Sequence, residues 1–390
     1  MKLIFAVDAI FPPLTGIGRY AYELATRLPA LHDLEELRYL GMWSWADLAN
    51  PRIDSSERNG DVRLTPPPWT AQLRRYMATK TWAVEVYDVL SEAWRKRLLL
   101  QGRGAVLHSP NYFLPAYDGP SVVTVHDLSI QRFPETHPAA RRRYFDLAFT
   151  RSLRRADALI TDSEAVRQEL ITDYAVSPER VTAIHLGVDA AFRPHTRDEL
   201  VPIMARHGLR QSQYLLAVGT LEPRKRLEQL ITAYADLPVH LRERYPLVLV
   251  GSTGWLNDQV QPLIERGRTQ GWLHYLGYVP QAELPALYAG ARAFAMVSIY
   301  EGFGLPLVEA MASGIPVLTS NRSCMPEVMD GAALLVDPDD VHEIRTQLAR
   351  LLEDDLWRAF AVTHGLCRAR QLTWRRCVEQ TANVYRFLAS

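Results

Sequence analysis

Two carboxylates, Glu301 and Glu309, enclose the run Gly302-Phe303-Gly304-Leu305-Pro306-Leu307-Val308, which leads from an apolar strand pattern directly into a helical one. A strand, a tight turn and a helix N-terminus direct backbone N–H groups and the positive end of the helix dipole at one point, where a phosphate is stabilised. Glu301 stands at the mouth of that turn, and Glu309 falls about one helical turn inside. Pro306 suits the first turn of a helix, where its missing N–H costs nothing, and Gly314-Ile315-Pro316 ends the pattern. The competing reading is a strand-turn-helix whose glycines only make the turn and whose acids are solvated.

A second candidate is Gly219-Thr220-Leu221-Glu222-Pro223-Arg224-Lys225-Arg226. Adjacent cations on a turn that opens a helix suit a diphosphate, which must be neutralised both when it binds and when it leaves. Leu227, Leu230 and Ile231 then form an apolar helix face, which weighs against a merely solvated basic turn. His126-Asp127 follows the apolar run Ser121 to Val125. A histidine there can donate to a sugar hydroxyl or exchange a proton near neutral pH, and a packed histidine with a helix-capping aspartate is the alternative. Gly16-Ile17-Gly18-Arg19-Tyr20-Ala21 matches the dinucleotide pattern G-x-G-x-x-G/A, but Ile10 to Thr15, with two prolines, separates it from the first strand. A dinucleotide turn follows its strand at once, so a phosphate- or substrate-facing loop is the preferred reading, beside a structural turn. Asp337-Pro338-Asp339 has the look of a metal-binding pair, yet it lies between a strand and a helix and reads better as a capping turn.

These residues need rigid elements to hold them. Short β-branched runs alternate with longer helical patterns, the mark of parallel sheets covered by helices. The first set of strands is Leu3 to Val7, Leu37 to Met42, Ala105 to His108, Ser121 to Val125, Ala158 to Thr161 and Val181 to Ile184. After a linker-like stretch, Gly187 to Pro194, a second set follows at Tyr214 to Val218, Leu247 to Val250, Leu273 to Leu276, Ala293 to Val297, Pro316 to Thr319 and Ala333 to Val336. Two doubly wound domains result, expected at 1–190 and 191–372, with ligands beyond the carboxyl ends of the strands in a cleft. Thr373 to Leu388 reads as a terminal amphipathic helix carrying Trp374, Val378, Tyr385 and Phe387.

Length and composition agree. A chain of 390 residues exceeds what one core usually supports. Lys+Arg and Asp+Glu balance at 44 each, so no global charge favours a nucleic-acid partner. Three cysteines, Cys324, Cys367 and Cys377, are too scattered for a disulfide framework or a zinc site and read as packed thiols in a reducing compartment. No apolar run approaches the roughly 20 residues that cross a bilayer, and the N-terminus lacks a cleavage pattern, so a cytoplasmic chain is expected, soluble or peripheral at the membrane. Membrane contact is suggested by the segment Arg74 to Arg103, where Tyr76, Trp82, Trp94 and other apolar residues are interleaved with cations. Arg141-Arg142-Arg143 adds to it, and an ordinary helix with a charged face is the other reading.

Taken in order, Gly16-Ile17-Gly18-Arg19-Tyr20, Val125-His126-Asp127, Asp162-Ser163, Leu186-Gly187-Val188-Asp189, Glu222-Pro223-Arg224-Lys225 and the Glu301/Glu309 pair resemble the retaining glycosyltransferases of family 4, along nearly the whole chain. The resemblance implies the GT-B fold, two Rossmann-like domains facing across a cleft with a C-terminal helix crossing back to the first. It implies a nucleotide-sugar donor held mainly by the second domain, a glycan or polyprenyl-lipid-linked acceptor held mainly by the first, and neither a metal nor a further cofactor. On that resemblance Arg224 and Lys225 bind the donor diphosphate, and Gly302, Phe303, Gly304 and Leu305 offer backbone N–H groups. Glu309 binds the ribose, Tyr278 and Val279 the base, Glu301 the donor sugar, and His126 contacts that sugar from across the cleft. Gly16, Gly18 and Gly251 complete the ligand-facing positions. Arg226 departs from relatives that often carry Asn.

The Glu222-Pro223-Arg224-Lys225 and His126-Asp127-Leu128 contexts look most like mannosyl- or rhamnosyltransferases of surface polysaccharide synthesis, which implies a GDP-sugar. A UDP-glucose enzyme, a silent nucleotide-binding scaffold and a dehydrogenase using the Gly16 turn are the competing readings. A double displacement needs a carboxylate nucleophile on the face opposite the leaving group. None is identifiable, so a same-face substitution is expected.

Overall fold

The computed structural model describes residues 1–10, 14, 16–47, 92–136, 139–254 and 259–390. These divide into two compact units: residues 1–162, 166–184 and 377–390 in the first, and residues 163–165 and 185–376 in the second.

In the first unit β1 (Lys2–Ala6), β2 (Glu36–Leu40), β3 (Trp45–Ala46), β4 (Val106–Ser109), β5 (Ser121–Val125), β6 (Ala158–Thr161) and β7 (Val181–Ala183) form a sheet in the order β3-β2-β1-β4-β5-β6-β7. The pairings are parallel except β2 with β3, an antiparallel edge that the apolar periodicity does not announce. Two residues are too few to carry a period-two pattern. The inner strands β1, β4, β5 and β6 are buried along nearly their whole length, with Val122, Val123, Leu159 and Ile160 fully inaccessible, as a sheet covered by helices requires. The order turns back on either side of β1, so the topological switch point, where open α/β sheets bind ligands, lies between β1 and β4.

The second unit contains β8 (Leu215–Val218), β9 (Leu247–Val250), β10 (Leu273–Gly277), β11 (Ala293–Met296), β12 (Val317–Ser320) and β13 (Ala333–Val336), all parallel, in the order β10-β9-β8-β11-β12-β13. Its switch point lies between β8 and β11. The turn carrying Arg224 and Lys225 and the turn carrying Glu301 therefore leave neighbouring strands at the same sheet edge. Leu230, Ile231, Tyr234, Leu247, Leu318 and Leu348 belong to one buried core on this unit. Phe192, from the stretch that resembled a linker, is also buried, its ring 5.5 Å from Tyr288.

The terminal helix runs Trp374–Ala389, and from Cys377 onward it groups with the first unit. Trp374, Val378 and Tyr385 are buried, whereas Phe387 is exposed, contrary to its expected place on the apolar face. Two residues after Tyr385 is about 200° around a helix, so the two rings point to opposite sides. None of the three cysteines is in a disulfide; Cys324 and Cys377 are buried and Cys367 is exposed rather than packed.

Candidate active site

The helix Leu305–Ala312 begins directly after Gly304, whose left-handed backbone (φ 84°, ψ 55°) makes the turn. A Cβ there would lie 2.9 Å from Leu307 Cδ1, a side-chain end that can shift, so it is the left-handed backbone that calls for glycine. In the first turn of this helix Pro306 has no N–H, and the Leu307 N–H donates back to the Gly304 carbonyl oxygen at 2.9 Å. Gly302, Phe303 and Gly304 are buried, and Leu305 is half-buried.

Glu301 is 7% exposed and engages both neighbouring cations. Its Oε1 accepts from Lys225 Nζ at 2.6 Å, and its Oε2 lies 2.8 Å from Arg224 Nη1. The same Arg224 nitrogen donates to the Tyr300 carbonyl at 2.5 Å, and Arg224 Nη2 donates to Glu222 Oε1 at 2.7 Å. Burial pushes the Glu301 carboxyl up, but the Arg224 and Lys225 charges and their hydrogen bonds outweigh it and hold it at about 2. Glu301 is thus an anion at any working pH, unsuited to donate a proton. Ser323 donates to the Glu301 carbonyl at 2.7 Å and ties the turn to the end of β12. Sequence reasoning quoted Glu222 only as part of a motif and missed its service to Arg224; its place two residues before the arginine was the available signal.

The remaining second-unit positions surround this cluster's sheet edge. Gly251 follows β9 with φ 146°, and a Cβ on it would stand 2.0 Å from the Gly219 carbonyl oxygen, so its glycine is required by close backbone approach. Tyr278 and Val279 follow β10; the tyrosine is exposed and the valine buried. Glu309 is half-buried beside Tyr288, whose hydroxyl is pushed up by burial first and then by the Glu309 charge. The Asp337 turn behaves as a turn: Asp339 N–H donates to Asp337 Oδ1 at 3.0 Å, and Asp340 caps the next helix through Glu343 N–H at 2.9 Å.

His126 lies at the end of β5 on the first unit, 5% exposed. Its Nδ1 is 2.8 Å from Asp162 Oδ2 and its Nε2 is 2.8 Å from the Pro110 carbonyl oxygen. Both partners accept, an arrangement that the doubly protonated ring satisfies in full. Burial opposes that charge, but the Asp162 carboxylate, the Pro110 carbonyl and Asp127 raise the pKa overall. The hydrogen bond to a sugar hydroxyl expected of His126 therefore requires one of these two bonds to be given up. Asp162 is a partner that the sequence reading left without a role. Asp127 accepts from the Ser129 N–H at 3.0 Å, the capping behaviour of the bland reading.

Gly16 and Gly18 sit in the first turn of the helix Gly16–Arg27 rather than in a loop ahead of it. That geometry differs from the strand-to-helix turn of a dinucleotide site. Tyr20, one turn on, packs edge-to-face on His126 at 5.0 Å and hydrogen-bonds Thr124 at 2.9 Å. Thr124 meets His108 at 2.8 Å, and His108 meets Tyr385 of the terminal helix at 2.5 Å. Burial, and then the nearby His126 charge, lowers His108 to about 3, so it is neutral and the hydroxyls on either side satisfy it. This fully buried chain fixes the glycine-bearing helix against β4 and β5.

Residues 14–192 match the family model described as Glycosyltransferase Family 4, and residues 203–361 match Glycosyl transferases group 1. The chain is 38% identical over 388 residues to the O-antigen chain mannosyltransferase B of Escherichia coli, covering 100% of both. It is 30% identical over 315 residues to the Escherichia coli serotype-specific mannosyltransferase WbdA, a match to 78% of this chain and 37% of that longer protein. Among solved structures, the sucrose-phosphate synthase of Thermosynechococcus elongatus superposes with a TM-score of 0.72 at 21% identity, covering 100% of each chain. The full-length 38% identity, the two family models and the paired parallel sheets together make this chain a member of glycosyltransferase family 4 with the GT-B fold.

Proposed function

We propose that the protein transfers mannose from GDP-mannose to a growing glycan in surface polysaccharide synthesis, with retention of anomeric configuration and without an essential metal. The observation that carries this reading is the buried Glu301 carboxylate clamped by Arg224 and Lys225 at the mouth of the Leu305–Ala312 helix. Mannose and polysaccharide synthesis are favoured by the full-length similarity to an O-antigen chain mannosyltransferase. Guanine is favoured by the Glu222-Pro223-Arg224-Lys225 and His126-Asp127-Leu128 contexts alone.

In this reading the donor diphosphate lies on the backbone amides of the Gly302 to Leu305 turn and against Arg224 and Lys225. Glu309 takes the ribose hydroxyls, and Tyr278 and Val279 adjoin the base. Glu301, ionised throughout, accepts from a hydroxyl of the donor sugar and stabilises positive charge as the anomeric carbon loses its leaving group. The anomeric C–O bond to the diphosphate breaks while the acceptor oxygen bonds to the same face, and the acceptor proton passes to the departing diphosphate. Arg224 and Lys225 neutralise that leaving group, the service a metal gives elsewhere. His126, when protonated, supplies a positive charge, and the acceptor is assigned to the first unit. The enzyme is placed in the cytoplasm or at the inner face of the membrane, where nucleotide sugars and lipid-linked glycans are both available.

The test is a donor panel with purified protein: hydrolysis of GDP-mannose, GDP-rhamnose and UDP-glucose, with and without EDTA, and an anomeric assignment of the product by NMR. Hydrolysis of UDP-glucose alone would remove the mannose and guanine assignments, inhibition by EDTA the metal-independent step, and an inverted product the same-face substitution.

A further inference from the structure

At the carboxyl edge of the first sheet, next to its switch point, two indoles and an ion pair form a cluster that the donor chemistry leaves unused. Asp8 follows β1 and pairs with Arg95, which lies in the helix formed by residues 92–99. Arg95 Nε also points to the Met42 carbonyl at 3.5 Å, just beyond β2. Trp43 stands at the tip of the β2–β3 turn, which is closed by the Gly41 N–H to Ser44 carbonyl bond at 2.9 Å. Trp94 Nε1 donates to the Trp43 carbonyl at 2.7 Å, so the two tryptophans are joined. Trp43 is 47% exposed and Trp94 48% exposed, whereas Trp272 and Trp374 are buried.

The sequence places Trp94 and Arg95 in a segment that resembled a membrane surface; residues 74–91 of that segment lie outside the described residues. The described part argues differently. A tryptophan at a bilayer interface uses its N–H at headgroup level, but the Trp94 N–H is spent on a backbone carbonyl. Arg95 is turned inward, side chain 17% exposed, and its charge is matched by Asp8 instead of being presented to an anionic surface. What remains outward is two half-exposed indoles, Trp43 and Trp94, beside the Asp8–Arg95 pair, whose side chains are only 23% and 17% exposed. Aromatic faces take the C–H face of a pyranose ring, and the Asp8 carboxylate, held by Arg95 through Oδ2, can accept from a hydroxyl through Oδ1. The Asp8–Arg95 pair is balanced within itself, while Lys96 and Arg97 on the same helix are exposed.

From this we infer that Trp43, Trp94, Asp8 and Arg95 form a subsite for the neutral hexose chain of the acceptor glycan. The inference rests on the glycan-acceptor part of the proposed function and extends it to named residues. Wild-type protein is titrated with a mannose tetrasaccharide that carries no lipid, following tryptophan emission, and the same saccharide serves as acceptor in steady-state assays of Trp43→Ala, Trp94→Ala, Trp43→Phe and Asp8→Asn. The expected result is a change in emission in the wild type, a KM for the tetrasaccharide raised about tenfold in the alanine variants, and partial recovery in Trp43→Phe. Donor hydrolysis without acceptor stays at the wild-type rate, which also reports that each variant is folded. An unchanged acceptor KM in both alanine variants overturns the subsite. So does loss of binding to phosphatidylglycerol vesicles in those variants with acceptor kinetics intact, which would assign the indoles to the membrane. Failure of every mannose donor strikes the proposed function instead, and the emission titration, which needs no donor, still decides the subsite.

Discussion

Each Glu301 oxygen already holds one cation, Lys225 at 2.6 Å and Arg224 at 2.8 Å, so a diphosphate entering the turn must share both with the carboxylate. Neutralising Glu301 while keeping its shape releases them. We predict that Glu301→Gln binds free GDP about tenfold more tightly than the wild type, because hydrogen bonds to charged groups contribute about 1.5–3 kcal/mol each, yet loses most turnover. Lys225→Ala should lower both, with turnover down about a hundredfold or more. Calorimetric GDP titration beside a transfer assay separates the two variants; weaker GDP binding by Glu301→Gln would refute the competition. His126 gives a second residue-level expectation. Its folded pKa is raised above the ordinary 6.5, so its ion pair with Asp162 contributes fully below that value and is lost as pH rises through the raised one. The first unit should therefore lose stability over that window, and His126→Gln should flatten the loss. An NMR titration placing the His126 ring below 6.5 would sink this. The motifs whose side chains meet, Arg224 with Lys225 and Glu301, were legible because each is local. The His126 partners Asp162 and Pro110 were not, since pairing across 36 and 16 positions depends on which strand ends meet.

Elements were legible wherever they were long and apolar. The twelve anticipated strands all form, none with an end shifted by more than two residues, because the inner strands are buried on both faces and need continuous apolar runs. The Trp45–Ala46 edge escaped notice because nothing in two residues distinguishes a strand. Arg226, noted only as a departure from relatives with Asn, acquires a physical meaning from the backbone. It caps the helix Leu227–Ala235 in the left-handed conformation, φ 51°, where Asn is at ease and Arg costs about 1 kcal/mol or more. Its Nε is buried without a partner, and its ion pair with Asp339 at 2.9 Å is partly exposed, worth about 0–1 kcal/mol. Arg226→Asn should therefore leave the second unit as stable as before or more stable by up to about 1 kcal/mol, whereas Arg226→Ala gains no left-handed preference and should not. Urea denaturation of the two variants compares them directly, and a less stable Asn variant would show that the Asp339 pair outweighs the backbone.

Chain order and spatial grouping part company at the C-terminus, which has consequences for the molecule as a whole. Residues 377–390 group with the first unit, although the second unit separates them from it in sequence. Within the first unit Tyr385 hydrogen-bonds His108, and Arg386 holds both oxygens of Asp33 at 2.8 and 2.9 Å. Cys377, Val378, Ala382, Val384 and Tyr385 are buried. Each large side chain among them contributes roughly 1.5–3 kcal/mol on burial, so losing Val378, Val384 and Tyr385 together removes an amount comparable to the roughly 5–15 kcal/mol that keeps a domain folded. A fragment of residues 1–184 should consequently fail to fold, because it also leaves His108 with an unpaired ring nitrogen in an apolar site. The fragment 185–376 retains its six strands, its own core and the whole Glu301, Arg224 and Lys225 cluster. It should fold alone and bind GDP with an affinity near that of the intact chain, while transferring no sugar because the unit assigned to the acceptor is missing. Circular dichroism and GDP titration of the two fragments decide the matter: a folded 1–184 fragment would show that the terminal helix is dispensable to the first core. A folded 185–376 fragment without affinity for GDP would remove the nucleotide from the Glu301 turn.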